Sequence, residues 1–96
     1  MAEIRWTREA ELWLKDIYDY IALDNSVAAA QTVDGIYEKA QLLREFPEIG
    51  YKYETQQSAE VRILLYGHYR IAYTVSPGRI DILGVFHGAL DISRYI

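Results

Sequence analysis

The sequence predicts an α+β domain, one sheet packed on a helical hairpin, in the order β-α-α-β-β-β. Three observations predict it. Between residues 8 and 46 the apolar side chains recur at helical spacing, with one break at Asp24-Asn25-Ser26. From Val61 to Phe86 they alternate as in strands, with breaks at Gly67-His68 and Ser76-Pro77-Gly78. The chain has 96 residues, enough for a single domain spanning 1–96 and too few for two.

Glu3 to Trp6 alternates briefly and reads as an edge strand. Thr7 is a good N-cap, and Glu9 and Glu11 suit the positive end of the helix that follows. Ala10, Leu14, Ile17 and Ile21 share one arc, flanked by Trp13 and Tyr18. This predicts an amphipathic helix over residues 8–23, roughly 24 Å long. Ser26 can cap the next helix, whose stripe is Ala29, Val33, Ile36, Ala40 and Leu43. Phe46-Pro47 ends it, and the short break between the helices predicts an antiparallel hairpin. Residues 47–59 read as a loop. Then Val61, Ile63 and Leu65 alternate with Arg62, Leu64 and Tyr66. Tyr69, Ile71, Tyr73 and Val75 form the apolar face of a second strand, and Arg79 to Phe86 is a third. Proline in Ser76-Pro77-Gly78 stands where a β-turn favours it. His87-Gly88 closes the meander ahead of a short tail.

Composition narrows the class. A chain that is 51% hydrophobic with two prolines is not a disordered protein. No apolar run approaches the ~18 residues of a membrane span. The start, Met-Ala-Glu-Ile-Arg-Trp, lacks the apolar stretch of a signal peptide. There is no cysteine, which excludes disulfides and thiolate zinc sites and fits a cytoplasmic location. A domain this short buries only roughly 60–65% of its unfolded surface, so a partner that covers apolar area would stabilise it.

The net charge of −4 is unlike that of a nucleic-acid binder, and it is unevenly spread. Residues 1–60 hold 12 acidic and 6 basic side chains. Residues 61–96 hold Asp81 and Asp91 against Arg62, Arg70, Arg79 and Arg94. Arginine's planar fork suits carboxylate or phosphate. Arg70 is expected on the sheet face turned away from the helices. If the turn at Gly67-His68 is tight, Arg62 is expected on the same open face. Two arginines there would suit an anion or an acidic partner. Each could equally pair with a surface carboxylate.

His87, at the end of the last strand, could reach that face as a general acid or base. A lone strand-end histidine is also commonly structural. His87 and Asp91 stand at i, i+4, but two ligands make a poor metal site, and no metal or cofactor is expected. No G-x-S-x-G, Walker A or G-x-G-x-x-G sequence is present. Leu12 and Leu23 lie opposite the core stripe of the first helix, and Leu42 opposite that of the second. Trp13 and Tyr20 lie on the flank. With nine tyrosines and two tryptophans, these residues are candidate partner contacts.

Several segments together resemble one family. They are the opening strand into Trp6-Thr7, Asp16-Ile17-Tyr18-Asp19-Tyr20-Ile21, and Phe46-Pro47-Glu48-Ile49-Gly50. The closing half adds Val61-Arg62-Ile63-Leu64, His68-Tyr69-Arg70-Ile71-Ala72-Tyr73 and Ile82-Leu83-Gly84-Val85-Phe86-His87-Gly88. In order and spacing the chain resembles the RelE/ParE superfamily of bacterial type II toxins, with the ParE-like branch favoured. The resemblance implies a small sheet on a helical hairpin and a cognate antitoxin, ParD- or RelB-like, in a hetero-oligomer. It implies one of two activities. ParE-like members poison DNA gyrase, and RelE-like members cut mRNA on the ribosome.

RNA cleavage through the 2′-OH needs charge stabilisation at phosphate and groups that move protons. RelE-like enzymes supply sheet and post-strand basic residues and a C-terminal tyrosine. Here Arg70 matches the central arginine and Tyr95 could match the tyrosine, so a nuclease would use Arg62, Arg70, His87 and Tyr95. The lysines that precede that arginine have no counterparts in Glu60-Val61-Arg62-Ile63-Leu64-Leu65. Leu90 stands where many relatives place an arginine before the aspartate. These departures favour a gyrase inhibitor that is not itself an enzyme. A ribosome-dependent nuclease is the alternative, and a weakly toxic antitoxin-binding homologue is the third reading.

Overall fold

The computed structural model describes residues 2–54, 60–88 and 90–96. Strand β1 (Glu3–Trp6) leads into helix α1 (Arg8–Ala22), then α2 (Ser26–Gln41), which runs on into a 3₁₀ turn at Leu42–Arg44. Four strands follow: β2 (Tyr51–Tyr53), β3 (Val61–Tyr66), β4 (Tyr69–Ser76) and β5 (Arg79–His87). A second 3₁₀ turn, Ile92–Arg94, lies near the C-terminus. The expected β-α-α-β-β-β order is present, with one strand more than the sequence predicts.

The five strands form one sheet in the order β1-β5-β4-β3-β2. β1 is the expected edge strand, and it runs parallel to β5, whereas the other neighbours are antiparallel. The sheet is therefore mixed. The extra strand, β2, lies inside the segment read as a loop. It is only three residues long and pairs Tyr51 with Ile63 and Tyr53 with Val61. So short a strand, with Pro47 and Gly50 before it, leaves no alternation to read.

Local chemistry fixes the hairpin of helices. Thr7 caps α1 by accepting from the Ala10 amide at 3.2 Å, and its hydroxyl donates to the Ile82 carbonyl at 2.7 Å. One side chain thus starts α1 and ties it to β5. Asn25, not Ser26, caps α2: its side chain accepts from the Ala28 amide at 3.0 Å. Ser26 is the first helical residue instead. The Asn25 backbone is extended, as a cap requires, and its side-chain oxygen is as good an acceptor as a serine hydroxyl.

The sheet has two apolar faces. One packs Leu64, Ile71, Tyr73, Ile80, Ile82 and Val85 against Ala10, Leu14, Ile36, Ala40 and Leu43 of the helical layer. Each large aliphatic side chain buried there contributes about 1.5–3 kcal/mol. Val75, expected in this layer, is exposed because it lies near the far end of β4. The other face carries Val61, Ile63, Ala72 and Phe86, with Ile92 packed on them. The sequence leaves this face open. The structure covers part of it with the chain's own tail, through Leu90, Ile92 and Ile96. The tail is too short for its periodicity to announce a packing element. A register shift at Ala72/Tyr73 leaves Leu83 as the extra residue of β5 and turns it toward this second core. Among the described residues, no helix is long and apolar enough to cross a membrane.

Candidate functional site

The two arginines do not share a face. Tyr66 pairs with Tyr69, so Arg70 opposes Leu65 and Arg62 opposes Tyr73. Leu65 and Arg62 are an odd number of residues apart, so their side chains leave opposite sides of β3. Arg62 lies on the helix side with Leu64, and Arg70 lies on the tail side with Ala72 and Phe86. The tight turn, with Gly67 in the left-handed region at φ 55°, is the one the sequence predicts. It is this tight pairing that separates the arginines.

Both guanidinium groups bond to the chain itself. Arg62 donates to the carbonyls of Gly50 at 2.8 Å and Glu48 at 3.1 Å, and pairs with the Glu60 carboxylate at 3.0 Å. Its side chain is only 12% exposed. Arg70 donates to the Leu90 carbonyl at 2.6 Å and the Gly88 carbonyl at 3.2 Å. Arg62 thus anchors the loop before β2, and Arg70 anchors the tail.

The other candidates divide between two places. His87 is exposed at the end of β5, cross-strand from Tyr69, with ring centroids 5.8 Å apart. His68 lies 6.3 Å from it. Tyr95 stacks on Phe86 at 5.6 Å and meets Trp13 edge-on at 5.0 Å. Arg62 is four residues along β3 from Tyr66, about 13 Å, and so is far from His87. Arg70 and His87 do line one shallow depression, with Leu65, His68 and Tyr69. Asp91, considered with His87 for a metal, instead caps the tail's 3₁₀ turn through the Ser93 amide and hydroxyl. Those bonds from Ser93 hold its carboxyl below the usual carboxylate range. Among the described residues, no group of three or more His, Cys, Asp or Glu could hold a metal ion.

A larger groove of about 410 Å³ runs between α1 and the ends of β4 and β5. α1 contributes Trp13, Asp16, Ile17, Tyr20 and Ile21, and the facing wall is Tyr69, Val85, His87 and Leu90. It collects Trp13, Tyr20 and His87 from the sequence candidates. Leu23, just past α1, is 87% exposed and Tyr20 is 77% exposed. Leu12 and Leu42 are exposed as well, outside the groove lining. Sequence reasoning missed Asp16, Tyr69 and Leu90 as groove residues. The helical spacing of Trp13, Ile17 and Tyr20 could have indicated a wall, but nothing local says that β4 and β5 end beside it.

A model of the ParE toxin of the type II toxin–antitoxin system parDE matches residues 4–92. The chain belongs to the ParE toxin family. A chain of the solved chromosomal ParDE toxin–antitoxin system from P. aeruginosa is 27% identical, with a TM-score of 0.75. That match covers 91% of this chain and 96% of the other. No curated protein matches. The ParE assignment accounts for the sheet-on-hairpin architecture expected from the resemblance. In this ParE-family toxin, Arg62 and Arg70 hold backbone carbonyls, and the groove beside α1 is a separate feature.

Proposed function

We propose that this ParE-family chain inhibits DNA gyrase in the cytoplasm and is neutralised by direct binding of a cognate antitoxin. One observation carries the choice of target: the four residues a nuclease would use do not converge on one point, since Arg62 stands on the other face and away from the depression that Arg70 and His87 share. Arg62 and Arg70 emerge from opposite sheet faces and are bonded to carbonyls. The Tyr95 ring is stacked on Phe86, and His87 lies beside Tyr69. A phosphate under attack needs donors aimed at one point and an acid and base within hydrogen-bond reach. A target bound by surface complementarity needs neither.

The solved ParDE system supports the antitoxin, as does the apolar surface left at Leu12, Tyr20, Leu23 and Leu42. Induction of the chain in growing cells tests the target. The gyrase reading expects DNA breaks and an SOS response while early mRNA stays intact. Codon-phased mRNA cuts that need ribosomes would replace it with the nuclease reading.

A further inference from the structure

We propose that His68 and His87 together chelate a divalent transition-metal ion of the zinc and copper class, through one ring nitrogen each. The sequence offers His87 only Asp91 as a co-ligand, and Asp91 is engaged in capping the tail. The fold supplies a second imidazole from elsewhere, the turn between β3 and β4.

The chain has two histidines in all, and folding brings them together. Tyr69 pairs with His87 in the β4–β5 ladder, which sets the end of β5 beside the turn that holds His68. The Gly88 amide donates to the His68 carbonyl at 2.7 Å and fixes the two segments there. Glycine permits this approach, because a Cβ on Gly88 would stand 3.2 Å from that carbonyl oxygen. The imidazoles end with ring centroids 6.3 Å apart and planes 27° from parallel. Neither backbone nor core demands histidine at either position. Both residues are exposed, and Gly67 supplies the positive φ of the turn.

The spacing suits a shared ion. Zinc lies about 2.0–2.1 Å from an imidazole nitrogen, so each ring centre stands about 3.2 Å from it. Two rings on one ion are then about 5.2 Å apart at a tetrahedral angle and about 6.4 Å apart in line. The observed separation falls at the wide end of that range, and the outer torsion of an exposed histidine turns readily to close it. Imidazole suits zinc, copper and nickel, whereas magnesium and calcium take oxygen ligands. The local charge does not oppose a cation. Arg70 lines the same depression, but its guanidinium is bonded to the Gly88 and Leu90 carbonyls and lies within electrostatic reach of Asp91. Asp16 lines the neighbouring groove with His87, and Lys15, next to it in sequence, is paired with Asp19. Two carboxylates thus stand against one guanidinium. Two protein ligands leave coordination positions to water, so this is an exchangeable site and not one on which the fold depends.

The test is a titration of the full chain, without a histidine tag, with zinc chloride, read by NMR of the imidazole signals and by calorimetry. Both histidines should shift together and saturate with one ion bound per chain, and magnesium at the same concentration should shift neither. His68→Ala and His87→Ala should each weaken zinc binding about tenfold or more, because the remaining imidazole has lost its intramolecular co-ligand. Both positions are exposed, so neither change disturbs the core. Saturating zinc should raise the melting temperature of the unaltered chain and leave that of the double variant where it was. A shift of one histidine alone, or equal shifts with magnesium, would overturn the inference. So would zinc binding as tight in the double variant as in the unaltered chain. No shift of either histidine up to about 1 mM zinc, read on the unaltered chain and so independent of how the variants fold, would also overturn it.

Discussion

Arg62 and Tyr73 face each other across β3 and β4, and both hold the four-residue loop Pro47–Gly50. The Tyr73 hydroxyl donates to the Pro47 carbonyl at 2.8 Å and accepts from the Gly50 amide at 2.9 Å. Arg62 takes the carbonyls of Glu48 and Gly50. Gly50 fits because a Cβ there would stand 2.6 Å from the Tyr73 hydroxyl and 2.7 Å from the Ile63 carbonyl. The loop is thereby fixed on the sheet, and β2 follows from it as the edge strand. Arg62 is a residue that assembles the fold, and its loss should be read first as a stability change.

Tyr73→Phe leaves the Gly50 amide and the Pro47 carbonyl without their partner in a buried place. It should cost about 1–3 kcal/mol. Arg62→Ala should cost a similar amount, since its bonds are charge-assisted and mostly shielded. Because both grip one loop, the double variant should cost less than the sum. Urea unfolding of the four proteins measures this. Strict additivity would contradict the shared-loop account.

The same tyrosine gives a pH dependence. Burial raises the Tyr73 pKa above its ordinary value of 10.0. A raised folded-state pKa means the contribution is whole below about pH 10 and fades as pH rises through the raised value. The stability gap between the unaltered chain and Tyr73→Phe should therefore be constant from neutral pH to about pH 9 and narrow beyond pH 10. Thermal melts across that range check it. A gap that widens with pH would be the wrong sign.

Arg70 holds the tail through Gly88 and Leu90. Arg70→Ala should loosen residues 90–96 while the helix-side core stays intact, at a cost of about 1–2 kcal/mol. Trypsin cleavage after the exposed Arg94 should accelerate, with cleavage elsewhere unchanged. Cleavage at Arg94 as slow as in the unaltered chain would place the anchor elsewhere, in Ile92 and Tyr95.

Substitutions at the nuclease candidates should act in proportion to surface contact. Losing a proton-transfer group typically costs about 10²–10⁴ in rate. On the gyrase reading no proton moves on the toxin. His87→Ala and Tyr95→Phe should change growth inhibition in steps that follow their effects on target affinity. Complete loss of toxicity in both, with fold and antitoxin binding unchanged, would favour catalysis.

Much of this architecture is legible in the sequence because it rests on periodicity. The stripes of α1 and α2 and the two hairpins after Val61 each span several repeats of their pattern. β2 was illegible because three residues hold no period. The cap of α2 was ambiguous because Asn25 and Ser26 are both good caps, and backbone conformation decides between them. The candidate site was legible as a list of residues and illegible as an arrangement. Arg62 and Arg70 look like a pair until strand register puts them on opposite faces. Their partners are backbone carbonyls at Gly50 and Leu90, which no side-chain pattern signals. Tail packing on Phe86 likewise depends on contacts between distant parts of the chain.

Gyrase is the proposed target of this ParE-family toxin. The most direct measurement is plasmid supercoiling by purified gyrase, titrated with the purified chain. Dose-dependent loss of supercoiling with accumulation of gyrase-bound cleaved DNA, reversed by antitoxin, is the expected result. Undiminished supercoiling and no cleaved complex at a large molar excess of folded toxin would contradict it.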